Sequence, residues 1–329
     1  MARIAVLGAG AWGTALAIHL ARGGHTVALW AHRADHAAEM VVAGENTRYL
    51  PGVPFPQALA PTAFLEEALA MAEGALLVVP SHAFAETLQQ LKRVARPEHL
   101  AWATKGFEPL TRQMLHQLVE TQLDTCRYAV ISGPTFACEV AKGLPTAMVS
   151  ASTEEAEASW WAKVLHHDLF RVYLQSDVVG VEVGGAYKNV MAIAAGVSDG
   201  LGMGANARAA LISRGLAEMI RFGVALGGKV ETFMGLTGVG DLVLTCTDDQ
   251  SRNRRFGLLL ARGTANPENQ IGQVVEGARA VKTIMAIAAR EQLELPIAEQ
   301  VHQLLCGNTT AEKAVKSLFE RDLKAENLI

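Results

Sequence analysis

The hydrophobic pattern of this chain changes in character about halfway along its length. In the first half, short β-rich apolar runs alternate with stretches of helical periodicity. The runs that predict strands are Arg3 to Leu7, Thr26 to Trp30, Ala75 to Val79, Leu100 to Ala103, Tyr128 to Ser132 and Thr146 to Ser150, with a further short strand at Phe170 to Leu174. This alternation is typical of βαβ units, so we expect an α/β fold with a mostly parallel sheet and helices on both faces.

In the second half, apolar residues recur at helical spacing, as in Val190, Ile193 and Val197. Strand alternation is scarce there, which predicts an all-helical C-terminal domain. A chain of 329 residues also favours two domains, because single hydrophobic cores rarely grow that large. We expect a sheet domain over residues 1–180 and a helical domain over residues 181–329.

Composition and charge narrow the range of partners. Half of the residues are apolar, and the formal net charge is -4. The sequence pI is about 6.2, so no broad basic field favours nucleic acid or an anionic membrane. We expect a small-molecule partner and no nucleic acid.

Two further features bear on location. The segment from Ile4 to Ala21 has no formally charged residue, but its glycines make it a poor membrane-insertion sequence, so we expect no membrane span and no secretory signal. The cysteines are widely spread and show no metal-ligand spacing, which favours the reducing cytoplasm and no metal. They are Cys126, Cys138, Cys246 and Cys306.

A glycine-rich turn follows the first predicted strand. Gly8, Gly10 and Gly13 have the spacing G-x-G-x-x-G and precede a helical pattern that starts at Thr14. In that context the glycines permit a tight turn, close approach of a pyrophosphate and close helix–sheet packing. The motif predicts a Rossmann-type, doubly wound domain that binds a dinucleotide. The alternative is that the glycines serve only the turn from strand to helix.

The end of the second strand indicates which dinucleotide binds. NAD sites usually carry an acidic residue there for the ribose 2′-hydroxyl, whereas a cation suits the 2′-phosphate of NADP. His32 and Arg33 occupy this place, so NADP is the preferred cofactor, and Asp35 leaves NAD open. The alternative is that His32 and Arg33 form a solvated loop.

Lys188 is the candidate proton donor. Reduction of a ketone by hydride needs an acid near the nicotinamide, and burial lowers the pKa of a lysine into a useful range. Lys188 is the one cation in a small and apolar stretch from Gly184 to Ile193. The alternative is a lysine whose ammonium reaches water from a packed helix.

Other polar segments are candidate ligands of substrate. Asp241 follows a glycine-rich turn and either orients a lysine or substrate hydroxyl, or caps a helix. The run Ser251, Arg252 and Asn253 suits an oxyanion such as phosphate, unless it is only a solvated charged run. Lys105, and Gly133 with Thr135, follow predicted strands, where open α/β sheets bind ligands.

Taken together, these segments resemble the NAD(P)-dependent glycerol-3-phosphate dehydrogenase family over almost the whole chain. The matching stretches are Gly8 to Gly13, Asn46 to Pro51 (NTRYLP), Lys105-Gly106, Ser132 to Val140 (SGPTFACEV), Lys188 to Gly215, Gly235 to Thr245 (GLTGVGDLVLT), Ser251 to Asn253 and Val275 to Gly277. One departure is Tyr187, where members more often carry an aliphatic residue.

The resemblance implies an oxidoreductase that interconverts dihydroxyacetone phosphate and sn-glycerol 3-phosphate in phospholipid synthesis, with Lys188 exchanging the proton. It implies substrate contacts from Lys105, Gly133, Thr135, Lys188, Asp241, Ser251, Arg252 and Asn253. It implies NADP or NAD contacts from Gly8, Gly10, Trp12, Gly13, His32, Arg33, Tyr49, Lys105, Ala137, Arg252, Val274 and Glu276. By analogy we expect a homodimer whose substrate lies in the cleft between the domains.

Two alternatives remain at this point. A β-hydroxyacid dehydrogenase of related architecture would use arginine and lysine to bind a carboxylate instead of a phosphate. A nucleotide-binding regulator without catalysis would retain the glycine turn alone.

Overall fold

The computed structural model describes residues 1–94, 97–123 and 127–320. The chain forms two compact units, of which the first comprises Met1–Thr104 with Leu115–Val178. The second comprises Lys105–Met114 with the chain from Val179 onwards. The sequence boundary after residue 180 assigned 105–114 to the first domain, whereas the structure groups this segment with the second unit.

The first unit is an α/β layer structure. Its strands are β1 (Arg3–Leu7), β2 (Thr26–Trp30), β3 (Glu45–Asn46), β4 (Leu50–Pro54), β5 (Leu59–Thr62), β6 (Gly74–Leu77), β7 (His99–Trp102), β8 (Tyr128–Ser132), β9 (Thr146–Ala151) and β10 (Phe170–Gln175). Its helices are α1 (Ala11–Arg22), α2 (Ala34–Ala43), α3 (Leu65–Leu69), α4 (Ser81–Val94), α5 (Leu115–Gln122), α6 (Ala137–Lys142) and α7 (Glu155–Leu165).

One 8-stranded sheet has the order β10-β9-β8-β7-β6-β1-β2-β5. All neighbours pair in parallel except β8 and β9, so the expected mostly parallel, doubly wound sheet is confirmed. The chain leaves β1 for β2 on one side and later returns to β6 on the other. This reversal of strand order beside β1 is where open α/β sheets bind ligands, outside the carboxyl ends of the strands.

The hydrophobic pattern did not predict the edge strand β5 or the small antiparallel pair β3 and β4. The β5 segment contains Pro61, which interrupts a strand pattern in sequence but is tolerated at a sheet edge. The strand expected at Phe170 to Leu174 is present as the opposite edge, β10.

The second unit is helical, as expected. Its helices are α8 (Val178–Gly200), α9 (Gly204–Ala225), α10 (Val230–Phe233), α11 (Asp241–Thr247), α12 (Arg252–Ala261), α13 (Pro267–Ile271), α14 (Glu276–Arg290), α15 (Pro296–Leu305) and α16 (Ala311–Phe319), with a π-helical turn at Leu236–Gly240. Helix α8 is buried on all sides through most of its length, which explains why its sequence is apolar or small all round. Within the described residues, no helix has the length and apolar character needed to cross a bilayer.

Candidate active site

The glycine turn after β1 is shaped by close backbone contacts. Gly8 has φ +122, and a Cβ added there would lie 2.7 Å from the carbonyl oxygen of Val78. A Cβ at Gly13 would lie 1.8 Å from the carbonyl oxygen of Gly8, so helix α1 packs too closely for any side chain. At Gly10, in contrast, an added Cβ has no neighbour within 4 Å. The turn therefore leaves open space beside its second glycine.

The start of α1 has the properties of a dinucleotide phosphate site. No side chain caps this helix, and its first turn contains no acidic residue, so its backbone N–H groups and dipole favour an anion. The indole Nε1 of Trp12 is buried without a hydrogen-bond partner. An open turn, an uncapped helix start and a donor in need of an acceptor together fit the pyrophosphate of NAD or NADP.

The end of β2 lies directly beside this turn, because the Gly8 amide donates to the Trp30 carbonyl over 3.0 Å. His32 and Arg33 follow, and both are exposed. The Arg33 guanidinium donates two hydrogen bonds to the Asp35 carboxylate, of 3.1 and 2.6 Å. The cation that favours NADP and the acid that favours NAD are thus both present after β2, joined as an ion pair.

Tyr49 belongs to the segment between β3 and β4 and is 40% exposed. Its ring forms a T-shaped contact with the His36 ring, with 5.2 Å between centroids. Three other predicted residues of this unit lie after β8: the Thr135 hydroxyl donates to the Gly133 carbonyl over 3.3 Å, and Ala137 begins α6.

Two predicted lysines of the second unit bind the carboxylate of a third predicted residue, Asp241. The Lys188 ammonium donates to Asp241 Oδ1 over 2.5 Å, and the Lys105 ammonium donates to Asp241 Oδ2 over 2.7 Å. Asp241 has no exposed surface, and Lys188 is 8% exposed. The group therefore places two positive charges against one buried negative charge.

This environment changes the acidity of Lys188. Burial lowers the pKa of its ammonium to about 8; the Asp241 charge opposes this shift, and the Lys105 charge adds to it. A lysine with this pKa exchanges protons readily near neutral pH, as a general acid or base must.

Helix packing brings Lys188 and Asp241 together. Lys188 lies in the middle of α8, and Asp241 is the first residue of α11, just after the 236–240 turn. At Gly184, one turn before the lysine, an added Cβ would lie 2.3 Å from the Thr237 carbonyl oxygen. The missing side chain allows the turn that precedes Asp241 to rest directly on α8.

The segment 251–253 forms the start of α12. Ser251 is its N-cap, and its hydroxyl accepts from the Arg254 amide over 3.3 Å. Arg252 is exposed, and its guanidinium donates to the Gln273 side chain over 2.8 Å. The start of α12 thus presents a guanidinium beside the N–H groups of a helix terminus, a combination suited to phosphate.

Asn253 connects three helices. Its amide nitrogen donates to the Asn189 side chain over 2.9 Å, and its amide oxygen accepts from the Gly277 amide over 2.9 Å. Val274 and Glu276 lie in the same region, at the beginning of α14. Asn253 therefore links the starts of α12 and α14 to the part of α8 that carries Lys188.

Comparison with known proteins decides the family. Residues 3–158 match the model of the NAD-dependent glycerol-3-phosphate dehydrogenase N-terminus, and residues 177–316 match the model of its C-terminus. The chain belongs to the NAD(P)-dependent glycerol-3-phosphate dehydrogenase family. The resemblance drawn from the motifs is thereby confirmed.

Individual members are similar over their full lengths. A glycerol-3-phosphate dehydrogenase [NAD(P)+] from Hydrogenovibrio crunogenus is 60% identical over 98% of this chain and 96% of its own. One from Legionella pneumophila is 52% identical, with 98% of each chain covered. The crystal structure of glycerol-3-phosphate dehydrogenase from Coxiella burnetii has a TM-score of 0.94 and 47% identity, covering 97% of this chain and 99% of that one.

The structure shows two polar residues near the predicted site residues that the sequence did not single out. Asn189 bonds to Asn253 from the position beside Lys188, and Asn46 is fully buried against the glycine turn. Both lie in stretches that carry the family resemblance, but an asparagine in sequence does not reveal its distant partner. The roles of the predicted site residues toward ligands stay predictions.

Proposed function

We propose that this chain is an oxidoreductase that interconverts dihydroxyacetone phosphate and sn-glycerol 3-phosphate with NAD(P)H. The observation that carries the proposal is the buried Asp241 carboxylate shared by Lys188 and Lys105. Family membership supports the choice of substrate, since relatives that are 60% and 52% identical over nearly the whole chain are named glycerol-3-phosphate dehydrogenase [NAD(P)+].

In the direction of reduction, a dihydronicotinamide dinucleotide held by the glycine turn at Gly8, Gly10 and Gly13 would supply hydride for the carbonyl carbon. Lys188 donates a proton to the oxygen of that carbonyl as negative charge develops there, so the ketone becomes a secondary alcohol. Lys188 is left neutral and regains its proton from solvent. Its pKa of about 8 makes both steps accessible near neutral pH.

Lys105 and Asp241 position the reacting groups. Asp241 fixes the Lys188 ammonium through its Oδ1 atom and the Lys105 ammonium through its Oδ2 atom. The second ammonium also favours negative charge on the substrate oxygen in the transition state. Both positioning roles use only the contacts that Asp241 makes with the two lysines.

The substrate phosphate binds at the start of α12 in this proposal. Arg252 supplies a guanidinium, Asn253 lies in the first helical turn, and Ser251 shapes the helix start. Binding energy from this remote phosphate aligns the carbonyl and lowers the barrier to reaction. Gly133 and Thr135 complete the predicted substrate contacts.

The cofactor side of the proposal rests on the glycine turn and its surroundings. Gly8, Gly10, Trp12 and Gly13 receive the pyrophosphate, and His32, Arg33 and Tyr49 receive the adenosine portion, with NADP preferred. The remaining cofactor contacts proposed are Lys105, Ala137, Arg252, Val274 and Glu276.

We also propose a cytoplasmic homodimer that supplies glycerol 3-phosphate for phospholipid synthesis. Cys138, Cys246 and Cys306 are free thiols, which suits a reducing compartment; Cys126 lies outside the described residues. Cell fractionation tests the compartment, and sedimentation equilibrium tests the dimer.

The direct test is to mix the protein with NADPH and dihydroxyacetone phosphate and to follow the nicotinamide absorbance. We expect NADPH oxidation that depends on the ketone and yields sn-glycerol 3-phosphate. Turnover of a β-keto acid in its place would instead support the β-hydroxyacid dehydrogenase alternative. Nucleotide binding without turnover of either substrate would support the regulator.

A further inference from the structure

A charged cluster at the end of β2 contains more than the predicted Arg33. We call Arg33, Asp35, Glu39 and Arg48 the β2-end cluster. Asp35 Oδ2 accepts from Arg33 Nη2 over 2.6 Å and from Arg48 Nη2 over 3.1 Å. Arg48 also donates from Nε to Glu39 Oε2 over 2.6 Å, and from Nη2 to the second Glu39 oxygen. Two guanidinium groups therefore converge on one carboxylate oxygen.

A buried asparagine fixes Arg48 close to the glycine turn. Asn46 Nδ2 donates to the Ala9 carbonyl over 2.9 Å and to the Thr14 hydroxyl over 2.7 Å. Its Oδ1 atom is 3.0 Å from His36 Nε2 and accepts from the Tyr49 amide over 3.3 Å. Because Asn46 has no exposed surface, these bonds hold segment 46–49 against the residues that surround Gly10.

Stability does not account for the β2-end cluster. The side chains of Arg33 and Asp35 are 57% and 50% exposed, and those of Arg48 and Glu39 are 30% and 47% exposed. Ion pairs with this exposure contribute little to folding, because water and salt screen them. An exposed convergence of two guanidinium groups beside a nucleotide turn is better explained by a ligand.

The donors and acceptors of the β2-end cluster suit the ribose 2′ position, where NADP carries a phosphate and NAD carries a hydroxyl. Guanidinium groups bind phosphate oxygens through paired N–H donors. A carboxylate at the end of β2 accepts the ribose 2′-hydroxyl of NAD. Asp35 lies between the two guanidinium groups, so a 2′-phosphate must compete with it for the same donors.

We propose that Arg48 is a second 2′-phosphate-binding residue beside Arg33, and that Asp35 sets the choice between the cofactors. This inference rests on the proposed function and deepens its cofactor site. With NADP, the 2′-phosphate takes over guanidinium donors that Asp35 occupies. With NAD, Asp35 keeps both arginines and accepts the 2′-hydroxyl.

Charge gives the direction of each substitution. The β2-end cluster has two cations and two anions, so it is neutral before the 2′-phosphate arrives. Removing Arg48 leaves it acidic and opposes a phosphate. Replacing Asp35 by asparagine removes a competitor and a negative charge but also weakens the acceptor of the 2′-hydroxyl.

The test is calorimetric binding of NADP+, NAD+ and 2′,5′-ADP to the full chain, which needs no turnover. Arg48→Met should weaken NADP+ and 2′,5′-ADP by about tenfold or more, as expected for loss of a charged hydrogen bond, and leave NAD+ within about twofold. Asp35→Asn should tighten 2′,5′-ADP and weaken NAD+. Arg127→Met is the matched control, since Arg127 is an exposed arginine near a carboxylate in the same unit.

Equal effects of Arg48→Met on NADP+ and NAD+, or no effect on either, would overturn the inference. So would weaker binding of 2′,5′-ADP to Asp35→Asn. Unchanged melting temperatures show that the exposed substitutions leave the fold intact. The variants could change the binding of NADP+ and NAD+ as expected while the wild-type chain fails to reduce dihydroxyacetone phosphate. That result would leave this inference standing and reject the proposed function. Failure of the wild-type chain to bind either dinucleotide would reject both.

Discussion

At the residue scale, the reactivity of Lys188 depends on two neighbours with opposite effects. Asp241 raises the pKa of the Lys188 ammonium, whereas burial and the Lys105 charge lower it to about 8. The sequence indicated each of these residues but left Lys188 and Asp241 open to another role, because charge and spacing do not show which side chains meet. In the structure, Asp241 caps no helix through its side chain and binds both lysines instead.

This arrangement predicts the pH dependence of kcat/KM. In the proposed mechanism reduction needs protonated Lys188, so its rate should fall as pH rises through about 8, and oxidation should gain rate over the same interval. Asp241→Asn removes a charge that raises the pKa, so the midpoint should move to lower pH. Lys105→Met removes a charge that lowers it, so the midpoint should move to higher pH. Midpoints that move in the same direction would contradict this account.

At the element scale, the close contact between α8 and the 236–240 turn determines where Asp241 lies. The sequence predicted that this region is helical, because apolar residues such as Val190, Ile193 and Val197 recur there at helical spacing. It did not predict which turn packs on α8, since small residues permit a close approach but do not indicate which segment of the chain approaches. The edge strand β5 was missed because Pro61 interrupts its strand pattern, and its pairing with β2 is not visible in its own residues.

Gly184→Ala tests this contact. A methyl group there meets the Thr237 backbone carbonyl, which cannot move without the 236–240 turn, so we expect a loss of about 1–3 kcal/mol in unfolding free energy and a large loss of kcat. Chemical denaturation and steady-state kinetics measure the two effects.

Gly215→Ala is the matched control for that substitution. An added Cβ at Gly215 meets the Met191 sulfur, part of a flexible side chain that can adjust. We expect it to cost less stability and to retain most of the activity. Equal losses in both variants would show that the contact at Gly184 has no special role.

At the scale of the whole molecule, the two units carry different parts of the proposed reaction. The glycine turn and the β2-end cluster belong to the first unit, and the lysine–aspartate group belongs to the second. The sequence predicted both fold types because strand–helix alternation and helical periodicity are regular over long stretches. It did not predict that segment 105–114, which begins with Lys105, joins the helical unit. Chain order alone does not show that a short segment from the first half packs with the second.

The measurement that tests the central claim most directly compares turnover with nucleotide binding in Lys188→Ala. The account predicts that this variant loses at least about a thousandfold in dihydroxyacetone phosphate reduction, within the range of about 10²- to 10⁴-fold for general acid catalysis. It should still bind NADPH within about twofold of wild type, because Lys188 is not among the proposed cofactor contacts and the glycine turn lies in the other unit. Lys188→Ala turnover close to that of the wild type would contradict the assignment of Lys188 as the proton donor.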